Sequence, residues 1–243
     1  MTTKVLSVGG SIIAPNEPDT NFLSQFGKMI TDYLTSNPET RLIFVAGGGA
    51  PARIYQNAYK EVAAAFDDNQ KKACAYETDD DLNAACDWIG ITATRLNAQI
   101  LKTVFGPLCQ QEVVIDPTKV NDFTGRVLVA AGWKPGFSTD NDAVLLAEKF
   151  HADTVLNLSN IAKVYTDDPR KNPDAKPIDS ISWADFRKMV GDEWVPGKNC
   201  PFDPIASKKA EELGLTVICA AGKDIENIRA ILDAKEYVGT TIK

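Results

Sequence analysis

The sequence has little of several features that would each point to a class of protein. It contains no run of 18 apolar residues and no charged-apolar-cleavage pattern at Met1, so we expect no membrane span and no signal peptide. Its five cysteines are scattered and form no Cys-x-x-Cys pair, which favours free thiols in a reducing cytoplasm. Neither G-x-x-x-x-G-K-[ST] nor G-x-G-x-x-G occurs, so a P-loop or Rossmann cofactor site has no direct support.

The chain is also short of positive charge. Its net charge of −7 argues against broad binding to duplex nucleic acid or to anionic membranes, which need a basic surface. With 243 residues, 44% apolar and 24% charged, the chain can bury a sizeable core. No break in composition separates two domains, so we expect one domain over residues 1–243, divided functionally near Arg126 into lobes of about 1–125 and 126–243.

Two apolar segments near the start of the chain each end in glycines. Lys4–Val8 is followed by Gly9-Gly10-Ser11, and Arg41–Ala46 by Gly47-Gly48-Gly49. Each pattern predicts a buried strand, a tight turn and a helix start. Because parallel strands end at one edge of a sheet, we expect both loops to line one crevice, where free amides attract anions. The pair favours a crevice that holds phosphates from two molecules.

The rest of the chain alternates between predicted strands and helices. Further strands are expected at 113–115, 127–131, 154–158, 217–219 and 239–242. Helices are expected after a cap at Asp19 or Thr20, after the 47–49 glycines, and at 79–104, 143–150, 183–190, 204–213 and 225–232. The polar stretch from about 67 to 81 is interpreted as a surface excursion in which Thr78 caps the next helix. The alternation predicts a three-layer α/β/α sandwich with a mainly parallel central sheet.

Six motifs together resemble the amino acid kinase superfamily and, within it, the uridylate (UMP) kinases of archaeal type. Their order and spacing hold over nearly the whole chain. They are Ser-Val-Gly-Gly-Ser at 7–11, Gly-Gly-Gly-Ala-Pro-Ala-Arg at 47–53, Asp-Trp-Ile-Gly-Ile-Thr-Ala-Thr-Arg-Leu-Asn-Ala at 87–98, Lys-Pro-Gly-Phe-Ser-Thr-Asp at 134–140, Val-Tyr-Thr-Asp-Asp-Pro at 164–169 and Gly-Thr-Thr-Ile at 239–242. The resemblance implies transfer of the ATP γ-phosphoryl group to UMP, giving UDP and ADP in pyrimidine nucleotide synthesis.

The resemblance implies an ATP site with its reaction centre. Backbone amides of Gly9, Gly10 and Ser11 would hold the β- and γ-phosphates, and the planar fork of Arg53 would bind the transferring group. The alternative on residues alone is that Arg53 is a surface helix arginine paired with a nearby acid. The implied ATP-binding residues are Ser7, Gly9, Gly10, Ser11, Gly49, Arg53, Ser159, Tyr165 and Asp168, and the implied catalytic residues are Gly10, Arg53 and Asp203. Mg2+ would arrive with ATP, and no protein metal site is expected.

The resemblance also implies an acceptor site for UMP. Asp87 would accept hydrogen bonds from the ribose hydroxyls, and the segment 133–139 would wrap the base and phosphate. The implied UMP-binding residues are Gly48, Asp87, Trp133, Lys134, Pro135, Gly136, Phe137, Ser138 and Thr139. The implied partners are ATP, UMP and further copies of the chain, as a dimer or hexamer, with the long helix from Asp79 as a candidate seam. No nucleic acid or membrane partner is expected.

Three departures from the family pattern keep other functions open. Ser7 stands where most of the superfamily has a lysine, so another cation must serve. Asn160-Ile161-Ala162-Lys163 replaces the usual Asn-x-Asp-Gly, and Lys163 could contact a phosphate or be a solvated loop residue. The stretch at 73–81 is longer than expected beside the acceptor pocket. The alternatives are a superfamily kinase for carbamate or isopentenyl phosphate, or a non-catalytic nucleotide- or oxyanion-binding storage protein. His151 lies in the wrong place for the histidine of isopentenyl phosphate kinases.

Overall fold

A computed structural model describes residues 1–74, 78–193 and 200–243. Its strands are β1 Thr2–Val8, β2 Thr40–Ala46, β3 Val127–Ala130, β4 Thr154–Ser159, β5 Val164–Tyr165, β6 Pro177–Ile178, β7 Ser180–Ile181, β8 Thr216–Ala221 and β9 Thr240–Ile242. Its helices are α1 Gly10–Ile13, α2 Thr20–Ser36, α3 Gly49–Ala64, α4 Asp68–Ala73, α5 Asp79–Phe105, α6 Thr139–Lys149, α7 Trp183–Val190, α8 Pro204–Glu212 and α9 Ile225–Leu232, with a short 3-10 turn at Gly106–Leu108.

Seven strands form one sheet in the order β3-β2-β1-β4-β8-β9-β7. Every neighbouring pair is parallel except β8 and β9, so the sheet is mixed but mainly parallel, as predicted. β5 and β6 form a separate antiparallel ribbon. The parallel arrangement brings the carboxyl ends of β1, β2, β3, β4 and β8 to one edge, and both glycine-rich loops follow strands at that edge.

The sheet has a hydrophobic layer on each face. Successive residues of a strand point to opposite faces, so Leu6 and Val8 of β1 pack into one cluster and Val5 into the other. The first cluster joins the sheet to α2, α5 and α9, and the second joins it to α6, α7 and α8. These layers confirm the predicted three-layer α/β/α architecture. No helix in the described ranges is long and apolar enough to cross a membrane.

Side-chain caps set the start of several helices. Asp19 accepts a hydrogen bond from Phe22 N at 3.0 Å at the start of α2, and Thr78 with Asp81 forms a capping box before α5. The expected caps at Asp19 and Thr78 are therefore confirmed.

Some predicted boundaries are wrong. Residues 113–115 form no strand: only Val114 makes a bridge to Ala130, and the chain turns away at Asp116-Pro117. The predicted helix 143–150 begins earlier, at Thr139, because Ser138 caps it through Asn141 N. The 67–81 excursion contains the short helix α4, which itself has a capping box at Asp67, while residues 75–77 lie outside the described ranges.

Candidate active site

The two glycine-rich loops touch each other at the edge of the sheet. A methyl group added at Gly10 would lie 1.9 Å from Gly49 N, and one added at Gly47 would lie 2.4 Å from Gly10 N. Gly49 also has a φ of +68°, a conformation that favours glycine. The loops are therefore packed backbone against backbone, which no other residue type permits at these positions.

Four backbone amides at this contact have no acceptor among the described residues. They belong to Gly10 and Ser11, which open α1, and to Gly48 and Gly49, which open α3. The neighbouring amides are occupied, since Gly9 N donates to Leu158 O and Gly47 N donates to Val8 O. The prediction of two glycine loops at one crevice is confirmed, and the free amides give it the donors that an anion requires.

Arg53 adds a cation on the second turn of α3. Its side chain is exposed, and no carboxylate in the described part of the chain lies within ion-pair distance of it. The alternative that Arg53 is held by a nearby acid is therefore wrong. A free guanidinium one turn after Gly49 suits binding of phosphate oxygens.

Ser7, two residues before the first glycine loop, forms a hydrogen-bonded group with two aspartates. Ser7 Oγ donates to Asp140 Oδ1 at 2.9 Å, and Asp203 N donates to Asp140 Oδ2 at 3.3 Å. Burial raises the pKa of Asp140 to about 6, although the hydrogen bond from Ser7 opposes the rise. Asp203 caps α8 by accepting from Ala206 N at 2.8 Å. Its carboxylate therefore has a structural partner, and its predicted catalytic role remains a prediction.

Asp142 is a second buried acid, on the first turn of α6. Its Oδ2 accepts from Trp133 N at 3.1 Å, while its Oδ1 is buried and has no partner among the described residues. Burial raises its pKa to about 7, and the charges of Asp140 and Asp116 add to the effect. Asp142 ties the start of the 132–138 loop to α6.

The 132–138 loop folds onto α5. Gly132 N donates to Thr94 Oγ1 at 2.8 Å, and Gly136 N donates to Asp87 Oδ2 at 3.0 Å. Within the loop, Lys134 Nζ lies 4.0 Å from the centre of the Trp133 ring and 4.7 Å from that of Phe137. These contacts bring the predicted acceptor residues Asp87 and 133–137 together, with Ser138 and Thr139 at the start of α6.

A cavity of about 670 Å³ borders this loop. Trp88 of α5 and the loop residues Trp133 and Lys134 form one wall. The remaining lining comes from the segment between α5 and β3: Gln111, Glu112, Val113, Val114, Ile115, Asp116, Lys119, Val120, Asn121 and Asp122. The cavity offers two aromatic rings and lysines, groups that suit a nucleobase or an anion.

The residues expected around ATP lie at the end of β4 and beyond. Ser159 ends β4, and its Oγ accepts from Ile161 N at 3.4 Å. Tyr165 lies in the β5–β6 ribbon, and Asp168 forms a two-pronged pair with Arg170, both contacts at 3.0 Å. Lys163 is paired with Asp179 rather than free beside a phosphate.

A sequence profile of the amino acid kinase family matches residues 2–221. The chain belongs to the amino acid kinase family. Uridylate kinases from Methanospirillum hungatei and Pyrococcus abyssi are 33% and 30% identical to it, covering 100% and 98% of this chain and 95% and 98% of theirs. The crystal structure of uridylate kinase from Archaeoglobus fulgidus is 31% identical, with a TM-score of 0.79 and full coverage of both chains. UMP kinase from Bacillus anthracis, 19% identical with a TM-score of 0.70 over 100% and 96% of the two chains, supports the fold alone.

Several site residues of this amino acid kinase were not predicted individually from the sequence. Asn97 donates to the 47–49 glycine loop, and Thr94 and Asp142 accept hydrogen bonds from the backbone of the 132–138 loop. Arg95 donates to Trp133 O at 3.3 Å, and its buried Nε has no hydrogen-bond partner in the part of the chain that the structure describes. Three of the four lie within the quoted 87–98 motif, and for Thr94 and Asn97 helical spacing was the available signal, because residues 87, 90, 94 and 97 fall on one face of α5.

Proposed function

We propose that this amino acid kinase is a UMP kinase, which transfers the γ-phosphoryl group of ATP to UMP and releases UDP and ADP. The observation that carries the proposal is the crevice itself. Four amides without an acceptor among the described residues lie where the two glycine loops meet, and the exposed Arg53 follows Gly49 by one turn of α3. Gly48 packs against Gly90 and Thr94 of α5, the helix that also carries Asp87 and holds the 132–138 loop. The archaeal relatives that share about a third of the sequence over nearly the full length are named uridylate kinases.

In this proposal each substrate is bound mainly by one lobe, and the two glycine loops of the acceptor lobe lie where the phosphates of both substrates meet. The acceptor lobe, about 1–125, would bind UMP with Gly48 and Asp87, assisted across the boundary by the 132–138 loop and Thr139. The ATP lobe, about 126–243, would contribute Ser159, Tyr165 and Asp168, while Gly9, Gly10 and Ser11 hold the terminal phosphates. Both carboxylate oxygens of Asp168 accept hydrogen bonds from Arg170. Asp168 would therefore have to release Arg170 before it could bind a ribose hydroxyl of ATP.

The chemistry needs positioning and charge more than a base. A phosphate oxygen of UMP is already an anion when it attacks the γ-phosphorus in line, so no proton has to be removed from it. The amides of Gly10, Gly48 and Gly49 and the guanidinium of Arg53 would stabilise charge that develops on the transferring group. Asp140 suits a supporting role, because both its oxygens already accept hydrogen bonds.

Because Ser7 stands where most of the superfamily has a lysine, Arg53 is the cation closest in sequence to the two glycine loops. Lys163 does not serve in its place, because its ammonium group pairs with Asp179. Lys208 is a second candidate. It is exposed on α8, five residues after the Asp203 cap, and forms no ion pair with a described acid.

Magnesium fits this site as an ion that arrives with ATP. No group of three or more His, Cys, Asp or Glu side chains in the described ranges could hold a metal ion. Magnesium commonly binds through substrate phosphates, one or two carboxylates and water, and Asp140 and Asp203, which are linked to each other and to Ser7 of β1, would be the candidate carboxylates. When bound, the ion would neutralise charge on the phosphates.

The proposal also covers assembly and location. Large apolar side chains are exposed on α3 and α5, among them Tyr55, with 69% of its surface exposed, Leu96, also 69%, and Ile54. A homo-oligomeric contact across these two helices would cover them.

All five cysteines are free thiols, which fits a reducing cytoplasm as the location of the protein.

The test is release of ADP from Mg-ATP with a panel of acceptors: UMP, CMP, dUMP, AMP, carbamate, isopentenyl phosphate and none. The proposal expects turnover with UMP well above the others, and its loss in Arg53→Ala. Turnover only with carbamate or isopentenyl phosphate would refute UMP as the acceptor and the role of Asp87. ATP binding without turnover on any acceptor would favour a binding or storage protein.

A further inference from the structure

The buried side-chain amide of Asn97 holds the triglycine loop, residues 47–49, on the side that faces α5. Asn97 of α5 is only 3% exposed, and its Nδ2 donates to Gly47 O at 2.8 Å and to Gly48 O at 3.1 Å. Both protons of the side-chain amide are thus directed at carbonyl groups of the loop that opens α3.

These two hydrogen bonds determine where the loop's own amides point. In a trans peptide unit the C=O of one residue and the N–H of the next are fixed in one plane and point in opposite directions. All peptide bonds of the described chain are trans. Holding Gly47 O and Gly48 O against Asn97 therefore turns the N–H groups of Gly48 and Gly49 away from α5. Those are two of the four amides that lack an acceptor.

A triglycine segment needs such a restraint. Glycine populates both signs of φ and loses more conformational freedom on ordering than any other residue. The backbone bonds that fix this loop lie at its ends, from Gly47 N to Val8 O and from Ala50 N to Ala14 O. Between them, Asn97 provides the hydrogen bonds that hold the two central peptide planes.

We infer that Asn97 is a positioning residue for phosphoryl transfer, which orients the Gly48 and Gly49 amides toward the transferring group. The inference rests on the proposed function only in taking that ligand to be a phosphoryl group. Asn97 touches no substrate, so it acts through the peptide planes. Preorganised donors of this kind stabilise the transition state more than the bound ground state.

The decisive variant is Asn97→Asp, which has nearly the same shape but replaces two donors by acceptors that face carbonyl oxygens. Leu101→Ala is the matched control, since Leu101 is fully buried one turn later on α5 and contacts only the core. We expect kcat to fall about 10- to 100-fold in Asn97→Asp, less than the roughly 10²- to 10³-fold seen when a transition-state donor is itself removed, because the Gly48 and Gly49 amides remain present. The dissociation constant for ATP alone should change less than about threefold, whereas binding of ADP, aluminium fluoride and UMP together should weaken in parallel with kcat. Leu101→Ala should lower thermal stability and leave kcat within about twofold.

A second readout does not depend on turnover. In protein labelled with 15N-glycine, the Gly48 and Gly49 amide resonances should shift on titration with UMP or ATP, and the shift should be lost in Asn97→Asp. Unchanged kcat in a folded Asn97→Asp variant, an equal loss in Leu101→Ala, or absence of the amide shifts in the wild-type protein would each overturn the inference. A wild-type protein that shows the shifts but no transfer to UMP would instead refute the proposed function alone.

Discussion

Replacing Asp142 by Asn should make the protein more stable at neutral and alkaline pH. Asp142 is fully buried, its Oδ2 accepts from Trp133 N, and its Oδ1 has no partner within the described ranges. An asparagine of the same shape can still accept from Trp133 N through its carbonyl oxygen, but it carries no charge. The substitution therefore removes an ionisation that burial opposes and keeps the hydrogen bond.

The magnitude follows from the pKa of this carboxyl group. Burial raises it from 3.8 to about 7, so between these values the folded protein binds more protons than the unfolded chain. The free energy of unfolding consequently falls as pH rises from about 4 to about 7, by at most about 1.4 kcal/mol per pH unit for this one group. Above pH 7 the full destabilisation is present, about 4 kcal/mol as an upper value.

The assay is urea unfolding of both proteins from pH 4.5 to 8. The stability of Asp142→Asn minus that of the wild type should rise by about 2–4 kcal/mol across this range. Asp19→Asn is the control. A hydrogen bond with Lys223 lowers the pKa of Asp19, so that its charge forms below pH 5 in both states and the difference should stay flat above pH 5. A difference for Asp142→Asn that is also flat would refute the account of this buried acid.

Three further substitutions test the crevice. Arg53→Ala should lower kcat/KM for UMP about 10²- to 10³-fold with unchanged thermal stability, because an exposed, unpaired cation is removed, and unaltered steady-state kinetics would exclude its role. Gly10→Ala should lower both melting temperature and activity, because its Cβ would lie 1.9 Å from Gly49 N; a stable, active variant would contradict the packing described. Lys163→Ala should keep kcat within about twofold, since its ammonium group is already paired, and a large loss would show that it reaches a phosphate during turnover.

The elements that depend on local sequence could be predicted. Apolar segments that end in Gly9-Gly10 and in Gly47–Gly49 indicated two strands and a shared crevice, and β1 and β2 pair in parallel over their full length. Asp19 and Thr78 revealed helix starts, because a cap acts within three residues. The resemblance of the six motifs identified the family that the profile match confirms.

What escaped prediction depends on contacts between distant residues. The hydrogen bonds of Asn97 reach Gly47 and Gly48, about 50 positions earlier in the sequence. Nothing in the sequence around Asn97 shows that its side-chain amide contacts those two carbonyl groups. The apolar segment 113–115 resembled a strand, yet only Val114 bridges to Ala130. The predicted helix 143–150 left the acids at 140 and 142 in the loop before it, whereas Ser138 caps α6 ahead of both and Asp142 is fully buried.

The most direct test of the central claim is the identification of products from purified protein, Mg-ATP and UMP by anion-exchange chromatography. A UMP kinase must form UDP and ADP in equal amounts, and omission of UMP must abolish ADP formation. We predict this one-to-one yield for the wild-type protein. ADP formed without UDP, or bound ATP that stays intact in the presence of UMP, would contradict the account.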